Sequence, residues 1–160
     1  MGIYINKGNA EFRDIVTHEY VDKSSLIPLI NDTLNSEFRY SCVTRCRRFG
    51  KSMAAKMLCA YYDKSCDSRE LFRGLKAEQG ITFETHLNKY YVICVDMTDF
   101  TTRFRHEKEI VKIIQDKIIN EILTEFPQIK RQDDDDLMEI LYRISESTGE
   151  RFFMIIDEWD

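Results

Sequence analysis

A chain of 160 residues, 43% hydrophobic and 12% aromatic, has the length of one domain and enough apolar side chains to build a core. Lys+Arg 23 against Asp+Glu 28 gives a formal charge of -5, so no overall positive field recruits nucleic acid or an anionic membrane, and any such role is local. Residues 1–10 contain one lysine and no apolar signal-type run, and no stretch reaches the ~18 apolar residues of a spanning helix, so the expected setting is the cytoplasm.

The first expected element is a helix. Capping residues from Asp22 to Ser25 precede Leu26, Ile27, Leu29, Ile30 and Leu34, with Pro28 in the first turn. Residues 38–43 then read as a strand. From Met53 the series Met53, Met57, Leu58 and Tyr61 puts one apolar stripe on a second helix, and a loop-rich stretch follows. Residues 90–95, Tyr-Tyr-Val-Ile-Cys-Val, form a continuous apolar run that ends in Asp96 and suits a strand covered on both faces.

Further on, Ile110, Ile114, Ile118, Ile122 and Phe126 recur at intervals of four before Pro127, which predicts a long helix stopped by the proline. Leu137, Ile140, Leu141 and Ile144 predict another helix, with Gly149 at its stop and Asp133 to Asp136 as an acidic N-terminal cluster favoured by the helix dipole. Residues 152–156 are again all apolar. Strands separated by helical patterns predict an α/β fold, a three-layer parallel sheet with crossover helices. With only two prolines, six glycines and no linker-like segment, no internal domain boundary is expected.

The chemistry concentrates in two places. Residues 45–52 read Arg45-Cys46-Arg47-Arg48-Phe49-Gly50-Lys51-Ser52, between the expected strand and the expected second helix, which is the context of a phosphate-binding loop. Gly50 admits phosphate close to the backbone, loop amides and a helix N-terminus supply positive potential, and Lys51 adds an ammonium for the outer phosphates. Ser52 offers its hydroxyl to magnesium. Arg45 stands where the usual motif opens with glycine. Two other readings of Arg45, Arg47 and Arg48 are a solvated basic turn and a nucleic-acid patch; the second lacks interleaved exposed aromatics and sits in an acidic chain.

The second place is the end of the last strand, where Asp157 and Glu158 follow five apolar residues. Two carboxylates at the end of a buried strand are costly unless a cation or hydrogen bonds compensate. This is the Walker B pattern. Asp157 would serve magnesium, directly or through a bound water, and Glu158 would orient and deprotonate the water that attacks the γ-phosphate. A strand that merely runs out into solvent has the same sequence, so the pattern gains its weight from following Gly50-Lys51-Ser52 in the right order.

Neither a disulfide framework nor a zinc site is expected from five cysteines (Cys42, Cys46, Cys59, Cys66, Cys94) with no C-x-x-C pair; they read as reduced and mostly buried. Arg103, Arg105 and His106 form a small basic cluster that reads as a solvated loop.

Taken together, Tyr20-Val21-Asp22-Lys23 with Leu26-Ile27, the 45–52 loop, Tyr61-Tyr62, Leu71-Phe72-Arg73-Gly74-Leu75 and Tyr91-Val92-Ile93 leading to Asp96 resemble a family of bacterial AAA-ATPase-like proteins. Members often carry a nuclease-like domain of the PD-(D/E)XK type toward the C-terminus. In that family the loop reads Arg-Pro-Arg-Arg-Phe-Gly-Lys-Ser, so the absent first glycine is a family trait and Cys46 in place of proline is the local departure. The resemblance implies binding of ATP and Mg2+, and hydrolysis in a full-length parent. It also implies that a sensor strand, an arginine finger, a helical lid and any nuclease domain would follow residue 160, so that the chain reads as the N-terminal part of one AAA-like domain, with an incomplete sheet. Self-association through the module, and nucleic-acid contact only through such a further domain, belong to the same expectation, as does a non-hydrolysing nucleotide switch or degenerate fragment as the alternative.

Overall fold

The computed structural model describes residues 2–18, 20–44, 49–106 and 109–158. The chain divides into two compact units, one made of Gly8–Lys89 and the other of Met1–Lys7 together with Tyr90–Asp160.

The Gly8–Lys89 unit is helical. Its elements are α1 (Ala10–Val16), α2 (Leu26–Asn31), α3 (Lys51–Tyr62) and the single turn α4 (Phe83–His86), with two 3-10 turns at Arg69–Phe72 and Lys76–Gln79. Aromatic rings make its core: Phe12 stacks on Phe72 at 5.1 Å, and Tyr61 meets Phe72 edge-on at 5.6 Å and Phe83 at 5.4 Å. Tyr61 and Tyr62 are fully buried on adjacent positions of α3, so both hydroxyls need partners. The Tyr61 hydroxyl donates to the Phe83 carbonyl and the Tyr62 hydroxyl to Asn31 Oδ1, both at 2.7 Å. The predicted stripe on α3 is present at Met57, Leu58 and Tyr61, but burial of Cys59, Ala60 and Tyr62 encloses the C-terminal half of the helix all round.

Residues 38–43 are not a strand, contrary to the sequence expectation. The turn after α2 captures the start of this segment: the Phe38 amide donates to Ser36 Oγ at 3.1 Å and the Arg39 amide to the Ser36 carbonyl at 3.3 Å. Phe38 and Tyr40 stand 77% and 80% exposed, so their β-favouring side chains have no sheet to pack against.

In the other unit, β1 (Tyr91–Asp96) leads through α5 (Met97–Arg103), α6 (Ile110–Glu125) and α7 (Leu137–Thr148) to β2 (Phe152–Asp157). The two strands pair in parallel, from Tyr91 opposite Phe152 to Asp96 opposite Asp157. A parallel connection needs a crossover, and the helices supply it. The core holds Ile93 and Val95 of β1, Ile118, Ile119 and Ile122 of α6, and Ile140, Leu141 and Ile144 of α7. Adjacent Val92 and Ile93 are both buried, which matches a strand covered on both faces. Helix α7 is closed at both ends: Asp136 and Glu139 form a reciprocal capping box, and Gly149 takes the left-handed conformation at φ 73.

The N-terminal residues were not anticipated as structure, yet Tyr4 and Ile5 enter this core. Ile5 bridges Ile93 in antiparallel sense, and the Glu121 carboxylate on α6 accepts the Tyr4 amide at 2.9 Å and the Ile5 amide at 2.7 Å. Fold class is thus mixed α/β, with a two-stranded parallel sheet among the described residues. None of the described helices is long and apolar enough to cross a membrane. Of the described cysteines, Cys59 is buried, Cys66 and Cys94 are partly covered and Cys42 is exposed, whereas most were expected to be buried.

Candidate functional site

Of the predicted loop, Arg45, Cys46, Arg47 and Arg48 lie outside the described residues. Phe49, Gly50, Lys51 and Ser52 are described. Gly50 is the N-cap of α3 in the left-handed conformation at φ 76, with no side-chain cap on the helix. The first rung of the helix is the Ala54 amide on the Gly50 carbonyl at 3.1 Å, so the amides of Ser52 and Met53 precede the ladder. A helix start of this kind concentrates positive potential at its mouth. Lys51 and Ser52 occupy its first turn, both partly buried.

Phe49, Gly50 and Lys51 line a groove of about 340 Å³ together with Val21, Lys23, Leu26, Leu29, Val43 and Ala54. That is within the range of roughly 300–1,000 Å³ of small-molecule sites. Its wall carries exposed apolar groups, with Val21 at 73%, Leu29 at 66% and Phe49 at 63%. Asp22 also borders the groove, with its oxygens already engaged: Oδ1 accepts the Ser24 amide at 2.8 Å and Oδ2 the Lys76 amide at 2.9 Å. Burial works to raise the Asp22 carboxyl, but the bonds from Ser24 and Lys76 outweigh it and hold the group below its ordinary value, as a carboxylate.

Lys23 was not singled out by sequence reasoning as a site residue. Its ammonium donates to the Phe49 carbonyl at 2.7 Å, across 26 positions of chain. The Lys23 backbone is fixed in turn, because its amide donates to Tyr20 Oη at 3.2 Å and the Tyr20 hydroxyl donates to Met57 Sδ on α3 at 3.3 Å. The only sequence signal was its place in the quoted Tyr20-Val21-Asp22-Lys23 segment.

In the other unit, Asp157 closes β2 and stands partly buried, while Glu158 is exposed. The Glu158 amide donates to Asp157 Oδ1 at 3.0 Å, and Glu158 takes a positive φ of 55, uncommon for a residue with a Cβ. Asp96, at the end of β1, is the register partner of Asp157 and caps α5 by accepting the Thr98 amide at 2.9 Å and the Asp99 amide at 3.3 Å. The C-terminal ends of parallel strands are where α/β sheets place ligands.

Among the described residues no group of three or more His, Cys, Asp or Glu side chains is placed to hold a metal ion. Magnesium does not need such a cage, since it is commonly held by one or two protein oxygens with water and substrate phosphates. The Ser52 hydroxyl and the Asp157 carboxylate are donors of that type.

Of the basic cluster, Arg103 ends α5 rather than lying in a loop and pairs with Asp99 one turn earlier, at 2.8 Å, while Arg105 and His106 follow the helix in an exposed turn. No curated protein and no solved structure matches the chain. A family model described as a predicted AAA-ATPase matches residues 7–160, which span the loop, the groove and both strand ends, and the chain therefore belongs to the AAA-ATPase-like family.

Proposed function

We propose that the chain is the nucleotide-binding module of an AAA-like ATPase, taking ATP with magnesium at residues 45–52. The observation that carries the reading is the start of α3: a left-handed Gly50 leads into a helix whose first turn holds Lys51 and Ser52 and whose mouth borders a groove of ligand size. Arg45, Cys46, Arg47, Arg48 and Phe49 complete the loop in sequence. In this reading Lys51 neutralises the β- and γ-phosphates, Ser52 and Asp157 hold magnesium, and Glu158 orients the attacking water. Magnesium would supply charge neutralisation on the phosphate oxygens. The preference for ATP over GTP comes from family membership.

Titration of the 160-residue chain with ATP tests the loop directly. Lys51→Ala should weaken binding by at least about tenfold, the scale of one lost charge-assisted contact. Equal affinity, or equal absence of binding, in the wild type and this variant would overturn the assignment. Phosphate release by the wild type that disappears in Glu158→Gln supports hydrolysis, and binding without release identifies a nucleotide switch.

A further inference from the structure

We propose that Lys23 is a second cation of the phosphate site, sharing its ammonium between the Phe49 carbonyl and the anionic tail of the ligand. The proposal rests on the nucleotide reading above and deepens it by adding a residue from outside the loop.

Three observations carry it. Lys23 and Lys51 line the same groove. An ammonium has three donors, and the bond to the Phe49 carbonyl uses one, so the loop contact and a phosphate contact do not compete. Among the described residues Lys23 forms no ion pair, and the carboxylate next to it in sequence, Asp22, is engaged by the amides of Ser24 and Lys76. An anion drawn into the groove meets the ammonium groups of both lysines.

The placement is also built rather than incidental. Tyr20 fixes the Lys23 backbone from α3, the helix that the loop itself begins, so the lysine and the loop share one support. A Cβ on Gly50 would lie 2.7 Å from Lys23 Nζ, so the ammonium rests directly against the loop glycine. Close approach of phosphate to a loop glycine therefore brings it to Lys23 as well. This makes Lys23 both a positioning residue, through Phe49, and a direct electrostatic partner of the ligand.

The test compares the full chain with Lys23→Met, Lys23→Arg and Lys51→Ala, titrated with ATP and with inorganic triphosphate at several ionic strengths. Lys23→Met should weaken both ligands by about tenfold, the size of one charge-assisted hydrogen bond, and make ATP binding less sensitive to salt. Lys23→Arg should restore most of the affinity and the salt sensitivity. Wild-type affinity in Lys23→Met beside a loss in Lys51→Ala overturns the role of Lys23 and leaves the nucleotide reading standing. A loss for ATP but not for triphosphate also overturns it, since the lost contact is then not to phosphate, and so does a loss with unchanged salt sensitivity, which is what a merely structural tether gives. Equal binding by Lys51→Ala and wild type overturns both readings. Should Lys23→Met fail to fold, Lys23→Gln, which keeps a donor and removes the charge, is judged by the same criteria.

Discussion

Asp96 and Asp157 stand opposite each other at the last rung of the parallel pair, two carboxylates on neighbouring strand ends. Like charges placed this way destabilise a sheet, and Asp96 offsets part of that by capping α5.

Substituting Asp96→Asn should therefore stabilise the protein. Asparagine keeps the cap and removes the repulsion, for a gain of about 0.2–1 kcal/mol. Asp96→Ala loses the cap as well and should fall below the Asn variant by about 0.5–2 kcal/mol. Urea unfolding midpoints at pH 7 check both; an Asn variant no more stable than wild type would show that the paired carboxylates do not repel appreciably.

Gly50→Ala should cost about 1–2 kcal/mol, because alanine at φ 76 occupies the left-handed region without compensation. The added methyl also meets Lys23 Nζ, but a lysine tip moves cheaply, so the backbone term dominates. Combining Gly50→Ala with Lys23→Ala should leave most of the thermal destabilisation in place. Full recovery in the double variant would show that the methyl contact, not the backbone, set the cost.

The Asp135–Arg143 pair predicts a pH dependence. Arg143 grips both oxygens of Asp135, at 2.7 and 2.9 Å, and the Gln132 amide adds a bond at 2.7 Å. Arg143, and then Gln132, hold the Asp135 carboxyl below its ordinary value. A lowered folded-state pKa means the contribution is complete above the unfolded value, near ~3.9, and is lost as pH falls from there toward the folded value. Unfolding midpoints of wild type and Arg143→Met should differ at pH 7 and converge as the solution is acidified below about 4. Parallel curves across that window would remove the pair from the pH response.

The long-range apolar signals were the legible part of the fold. Ile118, Ile122, Ile140 and Ile144 recur at helical spacing and all reach the core, and the uninterrupted runs at 90–95 and 152–156 became the two paired strands, Tyr91–Asp96 and Phe152–Asp157. Residues 38–43 misled because Phe38, Tyr40 and Val43 carry strand propensity, whereas a strand also needs a neighbour to bond with. Short-range turn bonds from Ser36 outcompeted it. The N-terminal Tyr4 and Ile5 were invisible for the opposite reason, since their order depends on Glu121, more than a hundred residues away. In the candidate site, Gly50 and Lys51 announced themselves through motif and context. Lys23 did not, because its partner is a main-chain carbonyl, and main-chain carbonyls leave no trace in residue identity.

The ends of the helical unit meet on one residue: Asp63 accepts the Gly8 amide through Oδ2 at 2.7 Å, and its carbonyl accepts Asn88 Nδ2 at 2.6 Å. In the other unit the flanking chain is matched in the same way, since the Asn6 amide donates to the Val92 carbonyl and the Val92 amide to Asn6 Oδ1. Entry and exit are thus neighbours in both units, which is the geometry of an insertion. Gly8–Lys89 has the anatomy of a cassette that could be excised as a closed ring, or transplanted between two adjacent strands of a foreign scaffold, carrying Lys23, Phe49, Gly50 and Lys51 with it.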